Sequence, residues 1–289
     1  MTACKSKSDR HGGLKSRLKQ FWPAYLILLP VVVWYLIFAY APMGGLMIAF
    51  KKYNVIKGIW DSPWVGMANF QKLVHTAAFL RSMKNTLIIS GLNLLFGFTA
   101  PILFAILLNE MRQQHFKKLV QTVSYLPHFI SWSVVGGMIY MLLSPSTGAI
   151  STVVRAIGGT PQNYIGMKEY FRPIVVLSSI WKNMGWSAII YMAAITSVDE
   201  QLYEAATIDG AGRLGRIWHV TLPGIASTIV MMFILRLGGI MDAGFSQILV
   251  MYNSTVYKSG DIIGTYVYRE GRAVLPETVT VDLSVYDQI

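Results

Sequence analysis

Long apolar runs separated by shorter polar segments are the dominant pattern along the chain. Five runs reach the roughly 20 helical residues that a bilayer core requires, the last of them with polar interruptions. The runs cover residues 24–50, 86–109, 119–143, 173–198 and 224–251. Tryptophan and tyrosine side chains lie near several of their ends, as in the aromatic belts of membrane proteins. The pattern therefore predicts an all-α, polytopic helical bundle in a membrane.

Composition agrees with a lipid environment. The chain is 54% hydrophobic and only 13% charged, whereas a soluble domain has about 25% charged residues. This excludes a disordered or fibrous chain and argues against a cytosolic enzyme. The formal net charge of +11 comes mainly from the N-terminal tail and the loops, so we expect anionic lipid headgroups, and no nucleic acid, as its partner. The single cysteine, Cys4, excludes a disulfide within the chain.

A cluster of basic residues precedes the first run. It consists of Lys5, Lys7, Arg10, Lys15, Arg17 and Lys19. The apolar run after it is too long for a signal peptide, and no small-residue cleavage site follows. We therefore expect residues 1–23 to be a basic cytoplasmic tail before an uncleaved span. Basic residues in the other loops are similar in number on both sides, so the orientation rests on this tail.

The segment at residues 199–222 is cytoplasmic under that orientation, and it has the pattern of two short helices joined at a glycine. Residues 200–208 are good helix formers with acids in the first turn. Gly210 is well placed to end this helix. Ala205 and Ala206 allow close approach of a partner, and the neighbouring Glu204 carboxylate can accept hydrogen bonds there. The segment thus resembles a docking site for a cytoplasmic protein.

Three sequence elements in this segment have a specific spacing. Glu204-Ala205-Ala206 is followed by Asp209-Gly210-Ala211 and then by Leu222-Pro223. This spacing resembles the coupling loop of permease subunits in bacterial ABC importers. Further stretches, at residues 38–43, 62–66, 125–132 and 185–191, look like the carbohydrate-uptake branch, and most like complex-oligosaccharide permeases of bacilli. The resemblance covers about residues 21–269. It departs from the family at Ile217, where an aromatic residue is usual, and at Ser227, near which a proline is often found.

The resemblance implies a non-catalytic permease subunit of the bacterial plasma membrane that transports an oligosaccharide. It implies that ATP binds to a partner ATPase and that this chain itself binds no cofactor. The implied partners are a second permease, two ATPase subunits and an extracellular solute-binding protein. The external segments 51–85 and 144–172 would be part of the surface that receives that protein. The residues implied to couple to the ATPase are Glu204, Ala205, Ala206, Asp209, Gly210 and Pro223.

Polar residues inside the apolar runs indicate a substrate path. A charge at the centre of a span costs about 2.5–3.5 kcal/mol on insertion scales, so we expect Lys182, Arg236 and Asp242 to face protein or water. Arg236 and Asp242 are six positions apart, on different faces of one helix, and we do not pair them. Aromatic and amide side chains suit sugar rings and hydroxyls. The residues expected along the path are Trp181, Asn183, Trp186, Arg236 and Asp242, with Asn93 as an addition. The alternative is that these residues only pack between helices or tie them together.

Other functions have less support. Residues 210–215 fit a dinucleotide-binding glycine pattern, but they follow a predicted helix where that motif needs a strand. The five histidines do not have the spacing of metal ligands, so we expect no metal site. We also expect no catalytic residue in this chain. A proton-coupled secondary transporter is the main alternative, and it predicts acidic residues within the spans, where only Asp242 qualifies. A membrane-embedded enzyme would need a catalytic cluster, and we find none.

The end of the chain differs from the rest. We expect residues 24–259 to form the permease domain, whereas the family resemblance requires a sixth span after them. Residues 260–289 are rich in charge and contain no run near 20 apolar residues. We therefore expect five clear spans, a missing or altered sixth, and an atypical C-terminal tail that lies outside the cell.

Overall fold

The computed structural model describes residues 14–54 and 56–274, and their regular structure is helical apart from two isolated β-bridges. The predicted basic tail lies outside the described residues up to residue 13, as does the predicted C-terminal tail from residue 275 onwards. Helix α1 begins at Leu14, so the later part of the predicted tail is already helical. The chain divides into two compact units, residues 1–75 and 76–289.

The first unit contains one long apolar helical segment and a short helix. Its helices are α1 (Leu14–Tyr35), a π-helical segment (Leu36–Tyr40), α2 (Ala41–Met43), a 3-10 segment (Gly44–Phe50) and α3 (Ala68–His75). The ring of Phe50 stacks on Trp64 with centroids 5.6 Å apart. The amide of Asn69 donates to the carbonyls of Ala49 and Lys51. These contacts fix the segment that follows the apolar helix.

The second unit contains the remaining helices. They are α4 (Ala77–Leu92), a π-helical segment (Asn93–Gly97), α5 (Phe98–Asn109), α6 (Gln114–Tyr125), a 3-10 segment (Leu126–Phe129), α7 (Trp132–Leu143), α8 (Ala149–Ala156), a 3-10 segment (Tyr164–Gly166), α9 (Lys168–Thr196), α10 (Glu200–Ile208), α11 (Arg213–Arg216), a π-helical segment (Ile217–Thr221), α12 (Leu222–Gly224), α13 (Ala226–Gly238), α14 (Phe245–Met251), a 3-10 segment (Ser254–Val256), α15 (Tyr257–Gly260) and α16 (Ile263–Val274).

Two helical stretches among the described residues are both long and apolar enough to cross a membrane. They are Phe21–Phe50 and Ala77–Asn109, each with a mean hydropathy of 2.1. Two bent pairs reach the same criterion if each is one span: Gln114–Phe129 with Trp132–Leu143, and Arg213–Gly224 with Ala226–Gly238. Helix α9 has 29 residues, which is long enough, but it carries more polar residues. The all-α architecture is confirmed, and the count of five spans stays a prediction.

Helix α9 is central to the packing of the second unit. One apolar cluster joins Phe171 and Val175 of α9 to Ile89 of α4 and to Ile248 and Met251 of α14. A second cluster joins α9, through Ala188, Tyr191 and Ile195, to α5 and to Ile225. These side chains are almost fully buried, and in a lipid environment their close van der Waals packing favours association of the helices. Helix α9 therefore holds the two ends of the unit together.

Candidate functional site

The predicted coupling helix has clear signals at both ends. Asp199 caps α10, because its carboxylate accepts from the amide of Gln201 at 3.0 Å. Gly210 has a φ of +79°, a left-handed conformation that favours glycine after a helix. The amide of Ala211 then donates to the carbonyl of Ala206 at 2.8 Å. The sequence predicts a helix over residues 200–208, and the structure has the same bounds.

Helix α10 presents most of its surface to its surroundings. Glu204 and Ala205 are exposed, as are Asp209 and Gly210 after the helix, whereas Ala206 is half-buried against its own chain. Ile208, at the end of the helix, is 86% exposed. Pro223 lies in α12, directly before a bend of 61° that leads into α13. The exposed side of α10 can thus receive another protein.

A polar cavity of about 310 Å³ lies between α4, α9, α13 and α14. It is lined by Ser90, Asn93, Leu94, Trp132, Ser179, Asn183, Leu235, Arg236, Gly239, Ile240, Asp242, Ala243, Gly244 and Gln247. Amides, hydroxyls and one charge of each sign thus face a shared space beside apolar groups. Such a mixture suits a ligand that has many hydroxyl groups.

Arg236 and Asp242 both line this cavity. The expectation that they lie on different faces of one helix is wrong. Helix α13 ends at Gly238, and a turn carries Asp242 before α14 begins at Phe245. Ala243 and Gly244 have positive φ values in this turn. Helical periodicity therefore does not apply across residues 239–244, and both charges reach the same space.

The third apolar run bends by 104° between Gln114–Phe129 and Trp132–Leu143. Pro127 lies in the 3-10 segment at the bend. The buried amine of Lys182 donates to the carbonyls of Pro127, His128 and Ile130, at 3.2, 2.6 and 2.6 Å. It also lies 5.4 Å from the centre of the Trp132 ring. Each of these carbonyls, if left buried without a donor, would cost about 1–3 kcal/mol, so Lys182 stabilises the bend.

Aromatic rings pack against the same bend. The ring of Trp186 stacks on His128 with centroids 4.8 Å apart and lies edge-on to Phe129 at 5.5 Å. The carboxamide oxygen of Asn183 lies 3.2 Å from Nδ1 of His128. Trp186 and Asn183 therefore connect α9 to the bend, and Asn183 also reaches the cavity.

A family model described as the inner membrane component of binding-protein-dependent transport systems matches residues 97–271. This is more than half of the chain, and it contains α10, the cavity residues from Trp132 onwards and the bend. The chain belongs to this family of ABC importer permeases.

Relatives and solved structures agree with the family. The permease is 44% identical over 265 residues to the polygalacturonan/rhamnogalacturonan transport system permease protein YteP of Bacillus subtilis, covering 92% of this chain and 83% of YteP. It is 43% identical over 247 residues to Protein LplB of the same organism, covering 86% and 78%. A crystal structure of a bacterial alginate ABC transporter, in complex with an alginate pentasaccharide-bound periplasmic protein, matches with a TM-score of 0.84 at 43% identity, covering 91% and 87%.

The predicted site residues of the permease separate into three groups. Glu204, Ala205, Ala206, Asp209 and Gly210 lie together on α10 and its C-terminal turn, and Pro223 lies in α12. Asn183, Arg236 and Asp242 line the cavity, as does Asn93. Trp181 and Trp186 are not among the described side chains that line it. Their assignment to the substrate path stays a prediction, since a substrate can also contact surfaces outside this cavity.

Sequence reasoning missed several polar residues of the permease. Ser90 and Gln247 line the cavity, and the amide of Gln247 donates to the carbonyl of Val175 at 2.7 Å. Both are polar residues within apolar runs, which is the signal that could have identified them. Asp261 was assigned to the atypical tail, yet it is fully buried and ion-paired with Arg269. Within residues 14–54 and 56–274, no three His, Cys, Asp or Glu side chains are grouped as metal ligands.

Proposed function

We propose that this permease imports an oligosaccharide that an extracellular solute-binding protein delivers, and that ATP hydrolysis on a separate ATPase subunit drives the import. The capped helix α10 supports the proposal most directly, because its residues Glu204 and Ala205 are exposed. A short helix with small residues and one carboxylate suits a groove on another protein. The bend at Pro223 and Ile225 connects this helix to α13, so movement of the helix would reach the membrane part.

The substrate in this proposal is an oligosaccharide that carries carboxylate groups. Arg236 lines the cavity, and a guanidinium pairs well with a carboxylate. Asn93, Asn183 and Asp242 provide groups that bond sugar hydroxyls. The name of YteP includes polygalacturonan, and a second matched structure is described as importing the acidic polysaccharide alginate. These descriptions support an acidic sugar for this permease.

The assembly in this proposal contains a second permease chain, two ATPase subunits and the solute-binding protein in the plasma membrane. Helix α13 supports a second permease, because none of its side chains is buried and Val230, Ile234 and Leu235 are more than half exposed. The N-terminus and α10 would face the cytoplasm. The segments at residues 51–85 and 144–172 would face outwards and receive part of the solute-binding protein.

The test is uptake by the assembled transporter in proteoliposomes. The complex is purified in detergent, reconstituted with its solute-binding protein, and supplied with ATP and radiolabelled oligogalacturonate. We expect ATP-dependent uptake by the native complex and loss of it with Glu204→Arg, because a charge reversal on the docking helix would repel or misplace the ATPase. Co-purification of the ATPase subunit is measured in parallel.

Glu110→Arg is the matched control, since it reverses a charge directly after α5 and outside α10. We expect it to retain ATPase binding and uptake. A native complex that contains no ATPase subunit, or a Glu204→Arg complex with native uptake, would contradict the ATP-driven mechanism. If the complex took up a neutral arabino-oligosaccharide but no oligogalacturonate, the proposal of an acidic substrate would be contradicted. The ATP-driven mechanism would not be affected by that result.

A further inference from the structure

Helix α10 contacts its own chain through one narrow face. Tyr203 and Ala206 are half-buried and three positions apart, so they lie on the same side of the helix. Leu202 is 53% exposed and Ile208 86% exposed, so their side chains add little to that contact. A force that a partner applies to α10 must therefore pass to the rest of the chain through this face or through the ends of the helix.

A polar contact lies at the centre of this face. The hydroxyl of Tyr203 is 3.0 Å from the hydroxyl of Thr221, and Thr221 is only 1% exposed. Thr221 ends the π-helical segment Ile217–Thr221, two positions before Pro223. A weaker contact lies beside it, where Arg216 donates to the hydroxyl of Thr207 at 3.4 Å. Helix α10 is thus joined by side-chain hydrogen bonds to the segment that leads into the next span.

Thr221 is also one turn away from the core. The amide of Ile225 donates to the carbonyl of Thr221 at 3.1 Å. Ile225 is fully buried and packs in the apolar cluster with Ala105 of α5 and Ile195 of α9. A continuous set of contacts therefore runs from α10 through Tyr203, Thr221 and Ile225 to α5 and α9. The π-helical turn is a local irregularity in that route, and such turns are frequent at functional sites.

We infer that Tyr203 and Thr221 are positioning residues for coupling: their hydroxyl pair fixes α10 on the start of the fifth apolar run and carries its movement into the bundle. This inference rests on the proposed function, because it requires an ATPase that moves α10. In this role neither side chain needs to touch the ATPase. They act by keeping Glu204 and Ala205 at a defined angle to the membrane helices.

The test uses the reconstituted complex and measures oligogalacturonate uptake and ATP hydrolysis in the same vesicles. Tyr203→Phe removes only the hydroxyl, and Thr221→Val keeps the side-chain shape. We expect each variant to assemble and hydrolyse ATP, with uptake per ATP lowered by about two- to tenfold, the range that loss of one hydrogen bond allows. The double variant should be no worse than either single one, since both remove the same contact. Thr122→Val is the control, because its hydroxyl donates within its own helix.

Native uptake per ATP in both single variants would overturn the inference. A parallel fall of assembly, ATP hydrolysis and uptake would also overturn it, because that result indicates only a structural role. Independent, multiplying losses in the double variant would show that the two hydroxyls do not act as a pair. These outcomes are separate from failure of the proposed function, which would appear as native complex without an ATPase or as full uptake with Glu204→Arg.

Discussion

Asn183 and two nearby residues of α9, Lys182 and Trp186, have different surroundings. Lys182 is buried at the bend, where it binds backbone carbonyls, and Trp186 stacks on His128. Asn183 lines the cavity, and its amide donates to the carbonyl of Ser179 in the preceding turn. Its carboxamide is therefore held in place and remains next to the space that a substrate would occupy.

Replacing Asn183 with alanine should weaken substrate handling more than it weakens the fold. The change removes a polar group from the cavity, and one hydrogen bond to a sugar hydroxyl corresponds to about a two- to tenfold change in affinity. We expect the half-saturating concentration of radiolabelled oligogalacturonate to rise by that factor in proteoliposomes, at an equal amount of assembled complex. Leu177→Ala, on an exposed part of the same helix, should keep the native value. An unchanged value in Asn183→Ala would remove Asn183 from the substrate path.

For single residues, the sequence was enough to identify the polar side chains within the spans. It did not reveal which groups those side chains contact. Lys182 and Arg236 were noticed because charges in apolar runs are costly, and Asn183 because an amide suits sugar hydroxyls. Lys182 proved to be a structural donor, and its partners lie more than 50 residues earlier in the chain. Periodicity within α9 does not reveal such partners. Whether a polar residue faces a cavity or a carbonyl therefore required the structure.

The ends of the helices were easier to predict from the sequence than the angles between them. Helix α10 was predicted with its observed bounds because good helix formers with acids in the first turn are followed by a glycine at the end. A proline within an apolar run kinks its helix, and the bend at Pro127 is 104°. Lys182, from another helix, donates to the backbone carbonyls at that bend. Local signals thus give the ends of helices, whereas long-range contacts determine their angles.

Gly185 controls how closely α9 packs on α6. A Cβ atom at Gly185 would overlap the carbonyl oxygen of Ser124. We expect Gly185→Ala to force the two helices apart and lower stability by about 1–3 kcal/mol, measured as a lower thermal unfolding temperature of the purified complex. Gly91→Ala is the matched control, because a Cβ in that helix meets nothing within 4 Å. It should be neutral or slightly stabilising. Equal unfolding temperatures for the two variants would argue against this close packing.

The second unit has a distinct polar junction at the end of α9 opposite α10. The buried carboxylate of Asp261 accepts two bonds from Arg269, each 3.0 Å long, and one from Ser82, which is 179 positions earlier. Arg172, near the start of α9, donates to Asn85, whose amide donates to the carbonyl of Asp261. Helix α9 is roughly 40 Å long at 1.5 Å per residue. The junction therefore joins α4, α9 and α16 at one end while α10 lies beyond the other.

This junction shows why the C-terminal part was the least predictable from the sequence. Charges at Asp261 and Arg269 lower local hydropathy, so the segment does not resemble a span or a core. The two charges neutralise each other and are enclosed by α4 and the start of α9. The family match continues to residue 271, which agrees with this packing. The predicted atypical tail beyond residue 274 lies outside the described residues.

Asp261→Asn should destabilise the whole second unit. The change keeps the shape of the side chain but leaves Arg269 and the nearby Arg81 without their anion, and removing one partner of a buried ion pair costs about 3–5 kcal/mol. We expect a markedly lower thermal unfolding temperature of the purified complex in detergent. Glu270→Gln is the control, because Glu270 is 56% exposed and its contact with Arg269 is 3.9 Å long. Surface pairs of this kind contribute about 0–1 kcal/mol. If Asp261→Asn unfolded at the same temperature as Glu270→Gln, the junction would not be a source of stability, and the joining of α4, α9 and α16 would have to depend on their apolar contacts.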